Sequence, residues 1–134
     1  MGPSLTALCL FAGWTILLVF SLAGYRVLTS QRTGKAVNSF APGGEDMDAF
    51  GRRLTRAHLN CVESLPVIAS VILAAAAAGR SDVTDGLAMT LFFARIGQSV
   101  VHLASTAPPA VLVRAGLFVV QLVIVAIWIG KLVL

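Results

Sequence analysis

The chain has 134 residues, 57% of them hydrophobic and 12% charged, with a formal net charge of +4. That charge content is about half what soluble domains carry, and a soluble core of this length could not hide so much apolar surface. The basic residues sit beside apolar blocks and no helix-turn-helix, zinc-finger or aromatic-stacking pattern is present, so the positive balance reads as membrane anchoring and excludes nucleic-acid binding.

The first apolar block runs from about Ser4 to Leu28 and is free of charge until Arg26. No Lys or Arg precedes it and it is too long for a signal-peptide core, so it is expected to stay as a first membrane helix. Met1-Gly2 through Thr6 fits the loose myristoylation pattern, but Pro3 and the immediate helix argue against that use. The connection Thr29 to Arg53 is long, holds Gly, Pro, Lys and Arg, and carries the acidic cluster "GGEDMD".

The second block, about 54–78, is polar at its start and almost pure Ala, Val, Ile and Leu at its end. Gly79 to Asp82 is a short turn into the third block, about 83–104. The turn "STAPPA", where Pro108 and Pro109 stop one helix and admit the next, leads into the fourth block, about 110–134. Each block is roughly 20 to 25 residues, enough to cross a hydrocarbon core as a helix, and helices are what lipid demands of a spanning backbone. The expected fold is an all-α, integral-membrane four-helix bundle occupying residues 1–134 as one domain, with the last three helices antiparallel neighbours. The run "AAAAA" permits close helix approach. Lys and Arg concentrate around the first connection, which places it in the cytoplasm and both termini outside. Cys9 and Cys61 both fall in apolar segments without partners at metal-ligand spacing, and are expected to be reduced, buried thiols; no metal site is expected.

Polar residues inside the helices form stripes. Arg52, Arg56, Asn60 and Glu63 are spaced by four, four and three, so they share one face of the second helix. Ionisable residues inside membrane helices cost several kcal/mol unless paired or wet, and they face a bundle interior or a cavity. Pro66, one turn beyond Glu63, deprives the Val62 carbonyl of its partner and should bend the helix. On the third helix Arg95, Gln98 and His102 share a face and reach the same membrane depth as the first stripe. On the fourth, Arg114 stands at the start and Gln121 two turns later. These faces suggest one shared cavity for a polar ligand. The plainer alternatives are helix-locking hydrogen bonds, an Arg95–Glu63 ion pair, a headgroup anchor at Arg114, and a helix-contact role for His58, which lies off the stripe.

The string "RAHLNCVESLP", Arg56 to Pro66, closely resembles the signature of the MAPEG superfamily, membrane-associated proteins in eicosanoid and glutathione metabolism. "FFARIGQSVVHL", Phe92 to Leu103, resembles the third-helix Ala-Arg motif of that family, and the pattern of four blocks and three connections also matches. The resemblance covers nearly the whole chain. It implies a homotrimer in membrane lipid that binds glutathione between protomers and acts on a lipophilic electrophile or lipid hydroperoxide. It assigns Arg56, Asn60 and Glu63 to glutathione contacts, with Glu63 on the α-amino group. It also assigns Arg95 and makes Arg26, Arg32 and Lys35 candidate carboxylate anchors.

Gln98 and His102 stand where synthases of the family carry glutathione-contacting tyrosines, and "STAPP" lacks the base found after the third helix in one of them. Arg114 is therefore expected to stabilise the thiolate, with His102 orienting the thiol or the peptide and Gln98 completing the binding face. The rival expectation, from another functional class, is a non-catalytic lipid-binding or scaffolding member of the same fold. A small proton-coupled exporter is a third reading, disfavoured because the first helix has no acid and Glu63 is the sole membrane-embedded one.

Overall fold

A computed structural model describes all residues, Met1–Leu134, as four α-helices: α1 (Pro3–Thr33), α2 (Ala49–Ala77), α3 (Asp82–Ala104) and α4 (Pro108–Val133), with a single 3₁₀ turn at Val37–Ser39 between α1 and α2. All four are long and apolar enough to cross a membrane. Only 27 of the 134 residues are buried, while Phe20 and Leu112 are 71% and 73% exposed. Most of the apolar surface therefore faces outward, as it must where the solvent is lipid. The protein is a multi-pass membrane four-helix bundle.

Helix ends extend beyond the apolar blocks. α1 runs on past Leu28 to Thr33 and stops at Gly34, whose φ of 74° is a left-handed cap with its N–H on Ser30 O at 2.9 Å. At 31 residues α1 is roughly 46 Å long, more than the hydrocarbon thickness, so it projects past one membrane face. α2 begins at Ala49 because Asp48 caps it, Oδ1 accepting from Gly51 N–H at 2.8 Å. Hydropathy marks where lipid ends; caps mark where helices end.

The intervening connection is tied down by its own acids. Asp46 accepts from Ala41 N–H at 3.0 Å and pairs with Lys35 Nζ at 3.1 Å, and those two contacts hold its carboxyl below the ordinary range. Asp48 Oδ2 accepts from the Tyr25 phenol at 2.5 Å, joining the connection to α1. Gly44, at φ 75°, turns the chain over Thr55, where an added Cβ would come within 2.6 Å of Oγ1.

The helices do not pack equally. α3 touches all three others, α1 and α4 do not meet, and α2 meets α4 least. Thr84, Ala88, Leu91, Arg95, Gln98 and His102 recur by four and three along α3, and all are buried. Of the four membrane windows α3 is the most enclosed, 44% buried against 17–22% for the rest. The apolar core gathers around it, with Phe11, Ile72, Leu91 and Trp128 at 2% exposure or less. Cys61 is in this core, whereas Cys9 is exposed on the outer face of α1, contrary to the expectation of two buried thiols. An apolar neighbourhood in a membrane protein is as often lipid-facing as internal.

Asp48→Ala removes both the α2 cap and the tie to Tyr25, and is expected to cost about 1 kcal/mol, read as a lower melting temperature in detergent. The Tyr25 phenol, then Gly51 N–H, hold the Asp48 carboxyl below its ordinary pKa of 3.8. Its stabilisation is therefore complete at neutral pH and lost as pH falls through the lowered pKa. The melting difference between the two proteins should shrink in strong acid and hold steady across neutral pH.

Candidate functional site

Hydrophobic association contributes little between helices already in lipid, so packing and hydrogen bonds must join them. Every side-chain hydrogen bond between two membrane helices ends on α3. At one end Ser4 N–H and Oγ donate to Asp85 Oδ1 at 3.0 and 2.6 Å, and Ser4 Oγ lies 2.6 Å from Thr84 Oγ1. Mid-bundle, Trp14 Nε1 donates to Ser99 Oγ at 3.0 Å, and Cys61 Sγ lies 3.7 Å from the same hydroxyl. Arg95 Nη2 donates to Ser64 Oγ at 2.7 Å, and Gln121 Nε2 donates to Gln98 Oε1 at 2.9 Å. Near the first connection, Arg53 Nε donates to Leu103 O at 2.9 Å, satisfying one of the last carbonyls of α3.

The loose α2–α4 seam leaves a cleft beside this spine. At its mouth Arg52, Arg53, Arg56, His102 and Arg114 surround about 330 Å³. The middle, about 270 Å³, is lined by Arg56, Asn60, Glu63, His102 and Arg114. The inner part, about 220 Å³, keeps Asn60, Glu63 and Ser64 on one side, reaches Arg95 and Gln121, and is otherwise walled by apolar residues of α2 and α4. Shared residues make the three parts continuous, so the α2 stripe lines the cleft along its length.

The charges in the cleft are free. Lys35–Asp46 is the one ion pair in the chain, so Glu63 has no cationic partner and Arg56 and Arg114 have no carboxylate. The Arg95–Glu63 pair weighed from the sequence does not form. Arg95 is instead 1% exposed, its head on Ser64 and 5.3 Å over the Phe11 ring. Asn60 Nδ2 lies 3.3 Å from His102 Nδ1; an amide nitrogen only donates, so Nδ1 accepts and the proton of a neutral ring sits on Nε2.

The structure thus gathers Arg56, Asn60, Glu63, Arg95, His102 and Arg114 into one cleft. Gln98 is not among its lining residues; its amide oxygen is taken by Gln121, which stands in the cleft instead. Lys35 is engaged with Asp46 and is remote in role from the cleft lining. His58, off the stripe, lines none of the three parts. Ser64 went unnoticed in the sequence, since a small hydroxyl in an apolar run bonds its own helix by default. Its Oγ does reach Asn60 O at 2.9 Å, but it also accepts the buried guanidinium. The available signal was its position one residue after Glu63 on the polar side of α2.

A four-helix membrane bundle with a basic, carboxylate-bearing cleft between two of its helices is the class that this geometry defines. Within it, residues 4–134 match the model of the MAPEG family, and the chain belongs to that family. The family is associated in general with glutathione-related transferase and synthase activity in membranes. No curated protein and no solved structure matches the chain.

Ser64→Ala is expected to cost about 2 kcal/mol, because it strips a neutral acceptor from a buried cation. Ser70→Ala, which loses only a bond to Pro66 O on an exposed part of the same helix, should change stability by a few tenths at most. Thermal melts of the two variants in one detergent check the contrast.

Proposed function

We propose that the cleft binds glutathione and that the protein is a glutathione-dependent transferase or peroxidase acting on a lipophilic electrophile or lipid hydroperoxide. The observation that carries this reading is the set of unpaired charges in one cleft: Arg56 and Arg114 without a carboxylate, Glu63 without a cation, and the Asn60 amide between them. Glutathione presents two carboxylates, one ammonium and two peptide groups, which is the complement of that set. Glu63 receives the ammonium; Arg56, with Arg52 and Arg53 at the mouth, receives carboxylate; Asn60 and His102 hold the peptide.

A bound thiolate supplies the nucleophile, and an ordinary thiol is mostly protonated at neutral pH. Arg114, at the start of α4 and lining both the mouth and the middle of the cleft, stabilises the thiolate by its charge. Each unit by which it lowers the thiol pKa is about 1.4 kcal/mol. The lipophilic partner arrives laterally from the bilayer. The first connection, with its excess of Lys and Arg, lies in the cytoplasm, so the mouth meets cytosolic glutathione. Members of the family are generally trimeric, and a homotrimer would close the exposed side of Glu63 and Arg56 against a neighbouring copy.

A second reading, a non-catalytic lipid binder, is favoured by one observation: Gln98, at a position where synthases of the family use tyrosine, is turned to Gln121 and is not part of the cleft. Calorimetry with glutathione separates the two, since a lipid binder gives no heat. Glu63→Gln should weaken glutathione binding roughly tenfold, the equivalent of about 1.4 kcal/mol. Arg114→Ala should retain binding but lose the thiolate band in stopped-flow difference absorbance. If that band is unchanged, Arg114 does not activate the thiol.

A further inference from the structure

α4 is the least anchored of the four helices. It rests almost wholly on α3, no ion pair holds it, and one side-chain hydrogen bond ties it to another helix. That bond runs from Gln121 Nε2 to Gln98 Oε1 at 2.9 Å, and both residues are buried. Gln121 Nε2 also donates to Leu117 O at 3.0 Å, which fixes the orientation of the amide. Between Arg114 and Lys131 the only other polar side-chain atom of α4 is Trp128 Nε1, and it has no partner. The remaining residues of that stretch are Ala, Gly, Leu, Phe, Val and Ile, alike where they are buried, as at Ile124 and Val125, and where they are exposed, as at Val119, Leu122 and Val123. Apolar contacts of such uniform composition specify a helix register poorly, whereas one buried polar pair in a seam specifies it well. The two helices also approach closely beside the pair. A Cβ added at Gly97 would lie 3.4 Å from Leu117 Cδ1, while one at Gly86, Gly116 or Gly130 would meet nothing within 4 Å.

We propose that the Gln98–Gln121 pair pins the register of α4 and thereby positions Arg114 in the cleft. Arg114 is seven residues from Gln121, which is two turns, so the two share a face of α4. On the antiparallel α3, His102 is one turn from Gln98 in the same direction. Arg114 and His102 accordingly line the mouth and the middle of the cleft together. A slip of α4 by one residue turns its side chains by about 100° and carries the Arg114 guanidinium away from Asn60 and Glu63. Gln98 therefore acts through Gln121 rather than on a ligand, and both are positioning residues. The register claim stands without glutathione; the consequence for thiol activation rests on the function proposed above.

The test compares two ways of opening the pin. Gln98→Leu with Gln121→Leu replaces both partners by apolar groups and leaves no buried amide unmet. Gln98→Met conserves volume and removes the amide acceptor, and Gln121 Nε2 keeps Leu117 O, so this variant folds even if the double one does not. Gln98→Glu, neutral when buried, keeps an acceptor oxygen and serves as the rescue. Spin labels at Leu112→Cys and Phe93→Cys, both at exposed positions, report the α4–α3 distance in nanodiscs without glutathione, in a Cys9→Ser background. The parent and Gln98→Glu are expected to give one narrow distance, and the opened variants a broadened or shifted one. On adding glutathione, the opened variants should lose several-fold in thiolate band while calorimetric affinity changes by about twofold at most, because Arg56, Asn60 and Glu63 on α2 are untouched. A pair that only adds stability would move neither the distance nor that split. An unchanged distance in the opened variants overturns the pin, and a changed distance with a full thiolate band overturns the positioning of Arg114. A parent that forms no thiolate counts against the proposed function instead, and the distance alone then decides the pin.

Discussion

A guanidinium buried in the membrane-spanning part of α3, with no carboxylate to neutralise it, is the constraint around which this bundle is arranged. Arg95 can stay there only if neutral groups carry its charge. The Ser64 hydroxyl supplies one hydrogen bond from α2, and the Phe11 ring supplies a face from α1. One residue thereby holds three helices at fixed distances. Moving any of them would leave a cation unsolvated in hydrocarbon, a far larger cost than exchanging an apolar side chain between protein and lipid.

The same logic extends along α3. Asp85 takes the start of α1, Ser99 takes Trp14, Gln98 takes Gln121, and Leu103 O takes Arg53. α1 and α2 also pack on each other, but α4 rests almost wholly on α3. The architecture is better described as three helices hung on a polar spine than as a symmetrical bundle. It follows that the seam between α2 and α4 is the most loosely packed of those between contacting helices, and the cleft is the consequence. The proposed site thus falls where the spine leaves two helices least packed on each other, with the basic mouth supplied by the ends of α2 and α4.

Much of this was legible in the sequence because lipid imposes simple rules. Four apolar blocks must be helices, and a stripe at four, four and three must share a face, so the common lining of Arg56, Asn60 and Glu63 could be expected from spacing alone. Helix ends were less legible, since hydropathy is silent about caps: Asp48 and Gly34 set them, several residues outside the apolar blocks. Cys9 illustrates a further limit. Hydropathy cannot tell an interior face from a lipid face, because both are apolar, and only packing shows that Cys61 turns inward and Cys9 outward.

The sequence by itself determined that this chain spans a membrane four times, which faces carry charge, and which family it belongs to, because these depend on composition and on spacing along one helix. Only the tertiary structure decided which charges are neutralised and which are free. Glu63 and Arg95 could have paired, and Gln98 could have faced the cleft. Whether they do is a matter of how α2, α3 and α4 are rotated about their axes, set jointly by every contact on the spine. No single helix encodes that rotation, so no reading of one helix at a time could have supplied it.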